Sequence, residues 1–503
     1  MPSVSEGSSS EMLERFNRIV RDEPRRPLIH LPLARRSVTA EELSAAAAEQ
    51  RVRLAARGVL PGDLLMYVAG NKPEWLALWL ACRASGIVLM PVDAGTTASE
   101  IADLATRFCA MWIVTGAGDH TAVAADIGTP APFVPHLTLW RTRIDGVAGV
   151  QLGDAAVLKL TSGSTGLPKA TSTTERHLVI DTEHIVHAMG IGAADVQMAA
   201  IPLTHAYGIG NLVMPVFLQG TAIVLRESFV PQRFVEDASS YGATVFHGVP
   251  FMFDHFIAHL PPGAWPRGLG VLISAGARLE TTTTAAFLSS FGVKIHSFYG
   301  TSEVGGIADD DSSELPDDGT VGRPLDGVTV SLLPEEGAPP GGGRVHVDGA
   351  AVSSGYAGGE PFDSGGRGSG FLTGDFGRFN PRGALSLTGR VSSFINVAGR
   401  KVQPDEVETV LRRMPGVADV RVLGASDAVR GEQIVACLVP SNGEITALAV
   451  RQFAAARLAP HKVPRTIVLL DRIPLNARGK TDRRELEAIV ADRLRRESGT
   501  GVL

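Results

Sequence analysis

Cysteine is scarce. Only Cys82, Cys109 and Cys437 occur in 503 residues, far apart and without a CxxC pair. That excludes a disulfide framework, argues against a sequence-local zinc site, and makes a reducing cytoplasm the expected location. A basic stripe is also missing. The formal net charge is -6, and pairs such as Arg25-Arg26, Arg35-Arg36 and Arg483-Arg484 are short and scattered. Nucleic-acid binding calls for a clustered positive face, so no nucleic-acid partner is expected. No apolar run is long enough for a membrane span either. The most apolar stretch, Trp75 to Val92, is broken by Arg83 and Gly86 and reads as a buried helix running into a buried strand. Met1 to Ser10 is polar with no apolar stretch behind it, so no signal peptide is expected.

What is present is the make-up of a well-buried globular chain, 44% hydrophobic and 20% charged, long enough for two or more domains. From Leu64 onward, short apolar β-rich runs alternate with helical patterns. The runs are 64–69, 87–92, 111–114, 221–225, 244–247, 271–274 and 293–298, with helices expected at 73–84 and 231–239. This is the pattern of an α/β fold whose strands are buried on both faces. After Pro316 the texture turns rich in glycine and proline through 334–344 and 353–370, which reads as a β-rich subdomain with long turns. From Gly389 a compact α+β unit is expected: strands at 394–397, 417–423 and 433–439, helices at 404–414 and 446–458, and a linker over 388–392.

One segment carries the sharpest chemical signal. Thr161-Ser-Gly-Ser-Thr-Gly-Leu-Pro-Lys169 directly follows the strand-like run 155–160. Gly163 and Gly166 let backbone N–H groups turn inward, Thr161, Ser162, Ser164 and Thr165 add hydroxyl donors, and Lys169 adds charge, so the loop can hold polyphosphate. It is not a Walker A loop, because Pro168 stands where that pattern requires glycine.

With this loop the chain resembles the adenylate-forming superfamily of acyl- and aryl-CoA synthetases, carrier-loading adenylation domains and luciferases, and most of all an acyl-CoA synthetase. Four further motifs carry the likeness in order: Phe298-Tyr-Gly-Thr-Ser-Glu-Val304, Thr373-Gly-Asp-Phe-Gly377, Thr388-Gly-Arg390 with Phe394-Ile-Asn-Val-Ala-Gly-Arg-Lys-Val402, and Pro474-Leu-Asn-Ala-Arg-Gly-Lys480. The resemblance implies a large N-terminal domain of αβ-layered and β-rich subdomains, residues 1–388, with the acyl and ATP pockets. A smaller mobile α+β domain, 389–503, follows and carries the catalytic lysine.

It also implies roles. Tyr299 and Gly300 would contact the adenine, Thr301 the α-phosphate, and Glu303 a Mg²⁺ ion bridging phosphate oxygens. Asp375, acceptor-only as a carboxylate, would take the ribose hydroxyls, with Arg390 reaching the same sugar or pairing with a surface carboxylate. Gly276 and Ala277, with Ser274 and Ala275, would border the acid and the adenine where small residues allow close approach. His205 and Tyr207 either line the acyl pocket or are satisfied core residues. Lys480 would stabilise negative charge as pyrophosphate leaves. Ser392 stands at the hinge, where relatives often carry aspartate or lysine, and Gly399 lies on the loop presented for thioester formation. Glu175 replaces a histidine common soon after the phosphate loop.

The implied reaction joins a carboxylic acid, Mg·ATP and a thiol through acyl-AMP. The thiol is CoA or the phosphopantetheine arm of an acyl carrier protein. Arg400 and Lys401 suit a nucleotide phosphate and an acidic carrier equally. A nucleotide-binding regulator without catalysis is a third reading, opposed by the joint presence of Lys480, Glu303 and Lys169. Amino-acid-activating relatives often place an aspartate near 204–211; none occurs between Ile201 and Leu225, so a non-amino acid is expected.

Overall fold

The computed structural model describes residues 10–116, 128–144, 152–161, 169–227, 229–315, 319–336, 338–391, 395–397, 400–402, 404–427, 431–441, 445–458, 460–476 and 481–499. The chain divides into two compact units. One comprises Met1–Val330 with Val347–Phe371, the other Ser331–His346 with Leu372–Leu503.

Two sheets organise the first unit. In one, Leu64–Val68 lies parallel to Val88–Val92 and to Trp112–Gly116, and Val88–Val92 runs parallel to Ala155–Thr161. Every residue of Leu64–Val68, Val88–Val92 and Trp112–Gly116 is buried, as expected for strands covered on both faces. The helix Pro73–Ala84 starts with proline at its first position and buries Trp75 through Cys82. Trp75 to Val92 is therefore a buried helix and strand, and no helix among the described residues is long and apolar enough to cross a membrane.

In the other sheet, Pro27–Leu31, Ala222–Leu225, Val196–Ala199, Val245–Gly248, Val271–Ser274 and Ile295–Thr301 pair in parallel in that order. The antiparallel hairpin Ile295–Thr301/Gly305–Asp309 follows. An aromatic core of Phe234, Phe246, Phe253, Phe256, Trp265 and Phe287 packs between this sheet and its helices. In parallel sheets, ligand-binding loops leave the carboxyl ends of the strands, and here those ends lead to Ala275, Gly276 and the turn after Thr301.

In the second unit, residues 375–379 of the strand Phe371–Phe379 pair antiparallel with Leu385–Arg390. Residues 388–390, expected in a linker, are thus the end of a strand: Gly389 lies opposite Phe376 and Arg390 opposite Asp375. Further along, Gly431–Pro440 pairs with Val417–Asp427 and Ile395–Val397, and lies parallel to Thr466–Leu469. The helices Pro404–Arg412 and Ala447–Ala455 bury Val407, Leu411, Val450 and Ala454 against this sheet.

Candidate active site

Ala155–Thr161 returns antiparallel as Lys169–Thr174, with Thr161 opposite Lys169, so the phosphate-loop segment leaves and re-enters the sheet at one place. Ser162, Gly163, Ser164, Thr165 and Gly166 lie outside the described residues. Thr161 is half-buried, and its Oγ1 donates to the Lys169 carbonyl at 3.5 Å. Lys169 Nζ lies 2.5 Å from Glu360 Oε1 and 4.6 Å above the ring of Tyr356.

The adenine motif forms the hairpin after Ile295. Tyr299 is 7% exposed and sits opposite Ala308. A Cβ at Gly300 would lie 2.5 Å from the Gly305 carbonyl, which no side chain tolerates. Thr301 Oγ1 accepts the Val304 amide at 3.3 Å and so caps the turn that carries Glu303. Glu303 is half-buried; its carbonyl accepts the Ser353 amide at 2.9 Å, and its carboxylate is near enough to the Tyr356 hydroxyl to act on it electrostatically. Burial first, then the charges of Glu303 and Glu360, push the Tyr356 hydroxyl up to about 12. It therefore remains a donor at neutral pH.

Among the described residues no group of three His, Cys, Asp or Glu side chains could hold a metal ion. Magnesium in nucleotide enzymes takes one or two protein carboxylates and fills its shell with phosphate oxygens and water. A single half-buried carboxylate on a capped turn fits that mode. Lys159 is buried, which lowers its pKa, and the charges of Asp181 and Glu303 act in the opposite direction.

His205 and Tyr207 precede a stretch of π-helix, Ile209–Val213, a local winding often found at functional sites. His205 Nε2 lies 3.2 Å from Asp93 Oδ2, so a carboxylate does reach this segment, supplied from elsewhere in the chain. The Tyr207 hydroxyl donates to the Ile273 carbonyl at 3.3 Å, and its ring stands edge-on to His247 and stacks on Phe298. Both residues are half-buried with their polar atoms engaged. Ser274 and Ala275 are buried at the strand end, and the Ser274 hydroxyl has no hydrogen-bond partner among the described residues. Gly276 (φ +81°) and Ala277 are exposed beyond it.

In the second unit, Asp375 is 5% exposed and takes Arg390 Nε at 2.6 Å. The Asp375 amide donates to Thr373 Oγ1 at 3.1 Å. The Arg390 side chain is 63% exposed. Ser392, Gly399 and Lys480 lie outside the described residues, as do the side chains of Arg400 and Lys401.

The AMP-binding enzyme family matches residues 16–357, and the AMP-binding enzyme C-terminal domain matches residues 406–480. The chain belongs to the AMP-binding enzyme family. An oxalate–CoA ligase from Arabidopsis thaliana is 27% identical over 85% of this chain and 88% of its own length. A feruloyl-CoA synthase from an Amycolatopsis species is 28% identical over 88% and 92%. ATP-bound MatB from Rhodopseudomonas palustris superposes with a TM-score of 0.80 at 23% identity, covering 96% of this chain and 99% of that one. An o-succinylbenzoate CoA synthetase (MenE) from Bacillus subtilis, with its acyl-adenylate, gives 0.78 at 23% identity over 95% and 98%. The α/β fold with a smaller C-terminal domain and the AMP-forming acid–CoA ligase class read from the motifs are both borne out.

Residues outside the motifs contact or brace the segments of this AMP-binding enzyme that carry the candidate residues. Tyr356 and Glu360 come from the glycine-rich stretch, where they form isolated bridges at the two ends of a turn. Asp181 sits inside the helix Glu175–Ala188 and accepts the Gly306 amide. Glu175 opens that helix and accepts from Ser10 Oγ, the Met12 amide and Arg83 Nε. No local pattern marks these residues, since each meets its partner only through the fold.

Proposed function

We propose that this enzyme activates a non-amino carboxylic acid with ATP as its acyl-AMP and passes the acyl group to CoA. One observation carries the placement of the chemistry. Segment 353–357 is hydrogen-bonded on one side to the strand that leaves the phosphate loop (Ser172 N to Gly355 O, 2.8 Å) and on the other to the Glu303 turn (Ser353 N to Glu303 O, 2.9 Å). The phosphate-loop lysine and the carboxylate suited to magnesium are thereby joined through one short segment.

In this reading Thr161, Lys169 and the 162–166 loop hold the β- and γ-phosphates. Tyr299, Gly300, Gly276 and Ala277 bound the adenine, Thr301 faces the α-phosphate, and Asp375 with Arg390 serves the ribose. Glu303 would hold Mg²⁺, which supplies charge neutralisation on the phosphates when bound. The acid's carboxylate attacks the α-phosphorus while pyrophosphate departs, and Lys169 and Lys480 stabilise the charge that accumulates. His205, Tyr207, Ser274 and Ala275 border the acid, and the unpartnered Ser274 hydroxyl suits a polar atom of it. A domain boundary at 388/389, rotation about Ser392 and presentation of Gly399 would then serve thioester formation.

The relatives named for oxalate and ferulate act, by those names, on acids without an amino group and on CoA. ATP–pyrophosphate exchange over a panel of small aliphatic, aryl and amino acids tests the reading. Exchange with one or more non-amino acids is expected, and exchange with amino acids alone would overturn it.

A further inference from the structure

The contacts around Tyr356 go beyond the motif roles. The tyrosine is held by its backbone: its amide donates to the Glu360 carbonyl at 2.8 Å, and it bridges antiparallel to Thr171. The next amide, Ala357, donates to the Ala170 carbonyl at 2.8 Å. Gly355 before it has φ +134°, and a Cβ there would lie 2.8 Å from the Glu360 carbonyl, so the turn back to Glu360 requires glycine. The ring is braced by Phe362, edge-on at 4.8 Å. Fixed in this way, it presents two different surfaces. Its hydroxyl is close enough to feel the charge of the Glu303 carboxylate, and its face lies 4.6 Å below the Lys169 ammonium.

We propose that Tyr356 is a positioning residue for the metal–nucleotide complex, aligning the Glu303 carboxylate by its hydroxyl and the Lys169 ammonium by its ring, with Glu360 as the counter-ion that phosphate displaces. The inference rests on the proposed roles of Glu303 and Lys169.

Glu360 suits a displaceable partner. Its side chain is 58% exposed, against 28% for Lys169, so solvent screens the pair and little holds it together. A cavity of about 180 Å³ adjoins it, bounded by Arg107, Phe108, Lys169, Tyr356 and Glu360, and leaves the ammonium room to swing. Tyr356 is held more firmly, its main chain hydrogen-bonded on both sides and its ring braced by Phe362. The ring gives Lys169 a second resting contact that does not compete for phosphate, since an aromatic face attracts a cation without neutralising it.

Equilibrium binding of MgATP and of metal-free AMP by calorimetry, with a Mg²⁺ titration of pyrophosphate exchange, provides the test. Tyr356→Phe keeps the ring and loses the hydroxyl proposed to align Glu303. It is expected to weaken MgATP binding and raise the half-saturating Mg²⁺, each about three- to tenfold, the size of one ordinary net hydrogen bond, with AMP binding unchanged. Tyr356→Leu removes the ring as well and should be weaker again. Glu360→Gln should act in the opposite direction and tighten MgATP binding, because phosphate no longer competes with a carboxylate for Lys169. A merely structural role would not produce opposite signs.

If Tyr356→Phe and Glu360→Gln both bind MgATP as the wild type does, with unshifted Mg²⁺ dependence, the proposal falls. Should the tyrosine variants fail to fold, Glu360→Gln still decides it, since weakened or unchanged binding there also overturns it. Glu303→Gln and Lys169→Ala, measured alongside, separate the two levels. If they impair MgATP binding while the Tyr356 and Glu360 variants do not, only this inference fails. If none of them affects it, the site assignment itself is wrong.

Discussion

Asp181 Oδ1 accepts the amide hydrogen of Gly306 at 2.7 Å, so a helix carboxylate holds the hairpin that carries Glu303. Gly305 has φ +94°, and a Cβ there would overlap the Asp181 carboxylate, so glycine is required on both steric and conformational grounds. Burial raises the Asp181 pKa from 3.8 to about 6, against the smaller opposing effects of the Gly306 hydrogen bond and Lys159. The folded chain therefore holds this proton more tightly than the unfolded chain. The protonated form favours folding, and that contribution is lost as pH rises through about 6. Asp181→Asn keeps an acceptor oxygen and removes the titration. The melting temperature of the wild type minus that of the variant should fall between about pH 4 and about pH 7. A difference that stays flat or rises across that range refutes the assignment.

Glu175 ties the N-terminal helix to the body of the first unit. It accepts Ser10 Oγ at 2.7 Å, the Met12 amide at 3.1 Å and Arg83 Nε at 2.9 Å. Glu175→Ala strands Arg83, which is largely buried, and removes the acceptor of the Met12 amide in the first turn of the helix Glu11–Asp22. A loss of about 2–3 kcal/mol is expected, with faster amide exchange confined to 11–22 and adenylation retained. Uniformly faster exchange throughout the chain would assign Glu175 a different role.

These two carboxylates show where the sequence is legible. Val271–Ser274 and Pro73–Ala84 match their expected bounds because continuous apolar runs and a leading proline are local signals. The strands Pro27–Leu31 and Gly128–Val134 go unread, since proline, histidine and threonine in them mask the period and their pairing is non-local. The same holds for the site. Gly300 and Thr301 announce a turn by composition, whereas Asp181 lies 125 positions from Gly306 and looks like any helix aspartate. Tyr356 is disguised by its glycine neighbours.

Asp375→Ala tests the ribose contact. The carboxylate is buried and charge-paired with Arg390. Losing charge-assisted acceptors for two hydroxyls should raise KM for ATP by about tenfold or more. Arg390→Gln is the control for the lost ion pair alone and should show a smaller rise. Equal effects in the two variants would mean that Asp375 serves only Arg390.

Lys480→Ala should cut acyl-adenylate formation by about two orders of magnitude, as expected for one preorganised charged donor. Conversion of pre-made acyl-AMP and CoA to the thioester should continue near the wild-type rate, because that half-reaction releases AMP without the departing pyrophosphate that Lys480 is proposed to stabilise. Equal loss in both half-reactions would show that the lysine is structural.

Gly399→Leu addresses the thiol step. If the loop bearing Gly399 approaches the acyl-AMP during thioester formation, a side chain there blocks the path of the pantetheine arm. Pyrophosphate exchange, which precedes thiol attack, should then stay near the wild-type rate while acyl-CoA release stops. Ser392→Pro fixes φ at the proposed hinge and should hinder one half-reaction more than the other. The wild type given acid, ATP and free CoA should turn over many times. If it instead retains acyl-AMP until a phosphopantetheinylated carrier protein is added, CoA is not its acceptor. If both variants slow the two half-reactions alike, the enzyme completes both steps without domain rotation.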